Sequence, residues 1–291
     1  MELRVLEYFL AVTREQSISA AAESLHLSQP TLSRQLKDME DELGKQLLIR
    51  GNRKITLTEE GMILRKRAEE ILELVRKAEH EINISDEFIA GDITIGTGET
   101  DGLRLITNTA KELQQHYPHI HFNIVSGDAV DIMDQLNKGI YDFGILLGDI
   151  DITKFDAIKL PYNDTWGVLM RKDSILAKKD VITPEDLWDK PLIVSRQAIK
   201  QHGIPLWLRK DSNDLNIVAT YNLIFNASLM VDEGMGYCIT IDKIINTSGN
   251  SNLCFKPLSP KLNISLNIVW KKYQVFSKAT EKFIIALQQK F

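Results

Sequence analysis

The chain of 291 residues lacks most of what a cross-linked, secreted or membrane-embedded protein needs. Two cysteines, Cys238 and Cys254, are too few for a disulfide scaffold and fit a reducing cytoplasm. No apolar run approaches the roughly 18–20 residues that cross a bilayer. Glu2, Arg4 and Glu7 interrupt the start of the chain, where a signal peptide would need an apolar stretch. There is no low-complexity tract and no short-period repeat. No Gly-x-Ser-x-Gly elbow, His-Glu-x-x-His pair or phosphate-binding loop is present. These absences exclude membrane, collagenous, disordered and small secreted classes. They also leave no recognised catalytic spacing. What is present is a hydrophobic fraction of 44% with 26% charged residues, enough for a sizeable core in about two domains.

An excess of positive charge is missing too, because 35 Lys+Arg stand against 40 Asp+Glu, a formal net charge of −5. Spread evenly, that balance would argue against nucleic acid. It is not spread evenly. Residues 43–58 hold Lys45, Arg50, Arg53 and Lys54 with no acid, whereas residues 59–90 hold five bases and nine acids. Phosphate contacts act within a Debye length of about 8 Å, so a local basic strip suffices.

Three regions differ in pattern. In the first, residues 1–57, Leu3, Leu6, Phe9 and Leu10 recur at helical spacing and predict a helix to about Arg14. Ser17 caps a short second helix, Ile18 to Leu25. Ser28 caps a third, from Gln29 to about Leu43, with Pro30 in its first turn and Gly44 just past its end. Leu47–Ile49 and Ile55–Leu57 read as two strands around the Gly51-Asn52 turn. In the second region, 58–89, Thr58 caps one long helix and Glu59 and Glu60 favour its positive end. Leu64, Ala68, Ile71, Val75, Ala78 and Ile82 alternate spacings of four and three, the seam of a coiled coil. An amphipathic helix packed on its own domain would show the same face.

The third region, 90–291, alternates strands with helices. Strands are expected at Ile93–Gly96, His121–Val125, Phe143–Leu147, Trp166–Met170, Leu192–Val194, Ile217–Ala219, Tyr237–Ile241 and Ile264–Trp270. Helices are expected at Leu103–His116, Val130–Lys138, Pro184–Trp188 and Phe225–Glu233. This rhythm predicts α/β architecture, and about 200 residues predicts two lobes.

The second and third helices have helix-turn-helix spacing. The third turns Leu32, Leu36, Met39 and Leu43 inward, leaving Gln29, Thr31, Ser33, Arg34 and Lys37 outward. Gln pairs bidentately with adenine and Arg with guanine, and a helix N-terminus offers N–H groups to phosphate. Arg50, Arg53 and Lys54 would hold the flanking backbone. A three-helix domain with a solvated polar face is the plainer reading of the same pattern.

Ser17-Ile18-Ser19, Ala21-Ala22, Leu25, Ser28-Gln29-Pro30-Thr31-Leu32-Ser33, Leu43-Gly44, Leu47, Arg50, Arg53, Leu57-Thr58 and Gly61 stand in the order of a known signature. It is that of the LysR-type transcriptional regulators, which this N-terminal region resembles densely. The remainder is similar in layout, with the Gly91–Gly96 strand, Tyr117-Pro118, Gly139 and Asp142, Gly234-Met235-Gly236 and a final helix from near Ser277. Leu48 departs from the family's usual aromatic residue, and Glu60 from its frequent alanine.

The resemblance implies an all-α winged helix-turn-helix domain over 1–57 and a linker and dimerisation helix over 58–89. An α/β effector domain over 90–291 would follow, two-lobed and similar to periplasmic binding proteins. Lobe I would hold about 91–161 and 266–291, and lobe II about 162–265. The resemblance further implies a cytoplasmic regulator, not an enzyme, that binds an interrupted palindrome in double-stranded DNA. It would be a homodimer through the 58–89 helix, commonly a homotetramer, with RNA polymerase as a further partner and no membrane association. Ser28, Gln29, Pro30, Thr31, Ser33, Arg34 and Lys37 would meet DNA, with Arg50 and Arg53 on its backbone. A solute-binding protein is the alternative for residues 91–291, but it has no use for residues 1–57.

Ligands of two-lobed α/β folds sit between the lobes, near strand C-termini and helix N-termini. That selects Gly98, Glu99, Thr100, Gly127, Asp128, Ser195, Arg196, Tyr221 and Asn222, although each could equally be a surface loop residue. The effector is a small molecule of unknown identity, and no cofactor is expected. Many members of the family bind small carboxylates. Here Glu99 and Asp128 would repel an anion unless one turns outward or Arg196 offsets it, so a polar, neutral or cationic ligand is equally open.

Three weaker signals are set aside. Gly96-Thr97-Gly98 begins a dinucleotide fingerprint, but Gly102 falls one residue late. His116, His119 and His121 cluster without a nearby Cys or carboxylate to complete a metal site. Peroxide-sensing members of the family use a cysteine pair, but Cys238 falls in an expected buried strand and Cys254 in an expected polar loop.

Overall fold

The computed structural model describes residues 1–51, 54–83, 89–149, 153–199 and 203–291. They form two compact units, 1–83 and 84–291.

In the first unit, α1 (Leu3–Glu15) forms where expected, but of Leu3, Leu6, Phe9 and Leu10 only Leu6 and Phe9 are buried, joined by Val5 and Val12, while Leu3 is exposed and Leu10 half-buried. Helix α2 (Ile18–Ser24) starts at Ser17, whose hydroxyl accepts the Ala20 N–H at 3.3 Å. Helix α3 (Gln29–Leu43) starts at Ser28, whose hydroxyl accepts the Thr31 N–H, and ends at Gly44 with φ +63°. Leu32, Leu36 and Met39 are buried, but Leu43 is exposed, because the inward stripe of α3 ends one turn before the helix does. Strands β1 (Leu48–Arg50) and β2 (Ile55–Leu57) form the antiparallel hairpin, with Leu48 opposite Leu57. Leu48, the residue that departs from the family's aromatic, is fully buried here.

The long helix α4 (Glu59–Asn83) uses its seam in two ways. Ala68 and Leu72 are buried in the core of this unit, with Leu64 and Ile71 packed against it. Further along the seam Val75 is half-buried, and Ala78 and Ile82 are exposed, Ile82 at 82%. The continuous seam read from spacing is therefore divided. Its first half lies on the core of its own domain, and only its second half is open.

The second unit is a continuous mixed sheet in the order β4-β3-β5-β11-β6-β9-β7-β8, with β10 also on β6. Its strands are β3 (Gly91–Thr97), β4 (Ile120–Ser126), β5 (Phe143–Leu147), β6 (Phe155–Arg171), β7 (Leu192–Ser195), β8 (Ile217–Tyr221), β9 (Tyr237–Ile241), β10 (Leu253–Pro257) and β11 (Asn263–Lys271). Helices α5 (Leu103–His116), α6 (Ala129–Lys138), α7 (Ile204–Leu208), α8 (Ile224–Asp232) and α9 (Lys278–Lys290) complete it. There are two main cores. One holds Ile93, Ile95, Phe143, Ile268 and Phe283, the other Val168, Leu192, Val194, Leu208 and Ile239.

Two strands cross between the lobes. Strand β6 pairs with β11 over residues 155–165, then with β9 and β10 over 166–171. Its first half carries Pro161 and lies at the edge of lobe I, where a proline is tolerated. Only Trp166–Met170 of this strand is expected from the sequence. The expected helix at Pro184–Trp188 is a single 3-10 turn, Pro184–Asp186. Its cap is real, since Asp186 accepts the Thr183 N–H at 3.0 Å, but Leu187 then turns fully into the core of lobe II. Cys254 lies on β10 opposite Met170, not in a loop. Strand β6 separates it from Cys238 on β9, so the two are about two strand spacings apart, roughly 9–10 Å, beyond disulfide reach.

Candidate nucleic-acid interface and ligand cleft

On α3, Gln29, Pro30, Thr31, Arg34 and Lys37 are exposed and Ser33 is half-buried, with Pro30, Arg34 and Lys37 on the face away from the buried Leu32, Leu36 and Met39. The hydroxyls of Ser28 and Thr31 pair at 2.7 Å, which rigidifies the first turn of the helix. Arg34 makes only a loose ion pair with Asp38 at 3.9 Å, with both side chains solvated, so its guanidinium is available to a stronger acceptor. Arg50 and Lys54 are exposed on the hairpin, and Arg53 lies outside the described residues. The face thus offers polar and cationic groups held on a rigid element.

Glu40 was not anticipated. Its carboxylate accepts the N–H groups of Leu47 and Leu48, at 2.7 and 3.0 Å, tying the end of α3 to the hairpin. A signal existed only in its position, a glutamate on α3 a few residues before the turn. Glu60, the other departure from the family pattern, pairs with Lys45 at 3.3 Å, and its own backbone hydrogen bond, followed by Lys45, holds its pKa below the ordinary carboxylate value.

In the second unit a cleft of about 90 Å³ lies between the lobes. Gly98, Glu99, Gly127, Asp128, Ser195, Tyr221 and Asn222 all line it, brought together from four loops. Two expected residues do not. Thr100 is buried, and its hydroxyl donates to Asp164 at 2.7 Å, so it points at the crossing strand rather than into the cleft. Arg196 is exposed and not part of the cleft wall, so it does not contact a ligand there. The apolar wall, which includes Ile132, Ile145, Leu147, Trp166, Ile241 and Ile264, was not singled out in advance. Those residues read as ordinary strand and helix core in a linear pattern.

Each lobe reaches the other's helix start. Helix α8 has no side-chain cap of its own at Leu223, and its Ile224 N–H donates instead to the Glu99 carboxylate from lobe I. Helix α6 is capped by Asp128, which accepts the N–H groups of Val130 and Asp131, while its Ala129 N–H donates to Gln197 of lobe II at 3.4 Å. Burial raises the pKa of Glu99, opposed by the N–H groups of Ile224 and Phe225. The Tyr221 hydroxyl donates to the Ile239 carbonyl at 2.9 Å, and burial pushes its pKa well up. Burial also raises the Cys238 thiol to about 12. Where β6 crosses, Asp164 is fully buried and its pKa is raised to about 6, by burial above all, with Asp242 and Asp101 adding repulsion.

Comparison with known proteins places both units. Residues 3–62 match the family described as bacterial regulatory helix-turn-helix protein, lysR family, and residues 87–291 match the LysR substrate binding domain. The chain is 37% identical over 220 residues to the HTH-type transcriptional regulator BsdA of Bacillus subtilis (strain 168), covering 75% of this chain and 74% of that one. It is 27% identical over 297 residues to the Hca operon transcriptional activator HcaR of Escherichia coli (strain K12), across 100% and 98% of the two chains. In fold it is similar to the crystal structure of CbnR, a LysR family transcriptional regulator, with a TM-score of 0.79 and 17% identity over 99% of both chains. Full-length CbnR complexed with its target DNA gives a TM-score of 0.77 at 17% identity, over 100% of both chains.

Proposed function

The chain belongs to the LysR family of bacterial transcriptional regulators, and from that premise we propose how its own residues read DNA and respond to a ligand. As a member of that family it is a DNA-binding regulator with an effector-binding domain, not an enzyme. Helix α3 enters the major groove. Ser28, Gln29, Pro30, Thr31 and Ser33 meet the groove at the helix start, Arg34 contacts a base edge, and Lys37, Arg50 and Arg53 hold phosphates. The observation that carries this is the α3 face itself, an exposed run of polar and cationic groups on a helix whose other side is anchored by Leu32, Leu36 and Met39.

One recognition helix reads only a few base pairs, so a second must be tethered to it for useful specificity. The open end of the α4 seam, Ala78 and Ile82 beside the half-buried Val75, is the surface proposed to pair two copies. An interrupted palindrome follows from that two-fold arrangement. A homotetramer, contact with RNA polymerase and a cytoplasmic location complete the reading. A small molecule between the lobes shifts the assembly by binding its states with different affinity, and no cofactor takes part.

The test is binding to the DNA upstream of this protein's own gene, titrated over salt against nonspecific DNA. A specific complex whose affinity falls steeply with salt is expected. No preference over control DNA at any salt, with or without compounds that raise the melting temperature, would sink the reading.

A further inference from the structure

We propose that the cleft takes a small apolar compound with an N–H-donating head, an organic amine or amide, and selects against carboxylates. The inference rests on the reading of that cleft as the effector site. An anion in such a cleft is held best by a cation or a free helix N-terminus. Among the described residues, the walls carry no Lys, Arg or His. Both helix starts that face the cleft are already filled by the protein's own oxygens. Glu99 sits on α8, and Asp128 with Gln197 sits on α6. A ligand carboxylate would have to displace Glu99 and then share the cleft with two acids.

A donor finds the opposite. An ionised carboxylate has about four acceptor sites, and the start of α8 uses only part of the capacity of Glu99. An N–H head placed there completes it, and a positive charge gains from both acids. Trp166 supplies the second observation. It lines the cleft, is only 5% exposed, and its indole N–H is buried without a hydrogen-bond partner. An acceptor atom on the ligand, such as an amide carbonyl, would satisfy that donor, whose burial is otherwise costly. Ile132, Leu147, Ile241 and Ile264 supply the apolar surface for the rest of the molecule.

The test uses the full-length protein and matched probes on two bodies: phenethylamine, phenylacetamide and phenylacetate, then tryptamine, indole-3-acetamide and indole-3-acetate. Calorimetric titration is expected to place an amine or amide at least about tenfold tighter than the matching carboxylate. Glu99→Gln and Glu99→Ser should narrow that gap by raising carboxylate affinity, an effect that a purely structural role for Glu99 would not produce. Carboxylates binding as well as or better than the N–H heads would overturn the proposal, as would the absence of binding by every probe. Ser195→Phe, which fills the cleft, separates the two levels. If the amines still bind that variant, the ligand lies elsewhere and the effector-site reading fails as well.

Discussion

The Glu99 carboxylate accepts the backbone N–H of Ile224 across the cleft, so the start of α8 in one lobe is capped from the other. A helix start left without a cap costs about 0.5–2 kcal/mol. Here that energy also holds two lobes together, seconded by Gln197 on Ala129.

Glu99→Ala should therefore loosen the cleft without unfolding either lobe. Hydrogen exchange is expected to quicken at the first amides of α8 and, through the weakened closure, at Ala129. Unchanged exchange at both places would show that packing alone keeps the lobes shut.

Asp164 makes stability depend on pH in a stated direction. Its proton leaves near 3.8 in an unfolded chain and near 6 in the folded one. Between those values the folded state holds the extra proton, so stability falls as pH rises, by about 3 kcal/mol once both states are ionised. Below pH 4 the penalty is absent. Asp164→Asn removes the titration while keeping an acceptor for Thr100. Denaturation of the two proteins from pH 4 to 8 should give curves that diverge through pH 6, with wild type losing ground. Parallel curves would place the Asp164 pKa at an ordinary value.

Gly61→Ala tests the joint between α4 and the hairpin. A Cβ at Gly61 would lie 2.2 Å from the Leu47 carbonyl oxygen, which also accepts the Thr58 N–H at 3.1 Å. Alanine gains about 1 kcal/mol of helix propensity, but overpacking against backbone costs about 1–3 kcal/mol and disturbs that bond. Chemical denaturation of the N-terminal unit should show net loss. A stabilised variant would mean that the hairpin moves aside freely.

Arg34→Ala should weaken specific DNA binding by about 1–3 kcal/mol and relax the preference at one base pair, if its fork meets guanine. Arg50→Ala should instead lower affinity on every sequence and flatten the salt dependence. Competition binding with single-base operator variants distinguishes them. Operator affinity unchanged in Arg34→Ala would mean that the reading face is misassigned.

By itself the sequence determined everything that depends on neighbours along the chain. The Ser17 and Ser28 caps, the Gly44 terminator and the bounds of Leu103–His116 are local events, set by which backbone groups a side chain three residues away can reach. The signature residues fell within that range, whereas the cleft loops were placed by where two-lobed folds hold their ligands. Only the tertiary structure decided what depends on residues far apart. It split the α4 seam by packing Leu64, Ala68 and Ile71 on the core of the first unit, and moved Thr100 out of the cleft by setting Asp164 beside it. It also put Cys254 on a strand. The cleft's preference belongs to this second kind. Glu99 and Ile224 stand 125 positions apart, and whether a carboxylate repels a ligand or caps a helix depends on the donor that folding places in front of it.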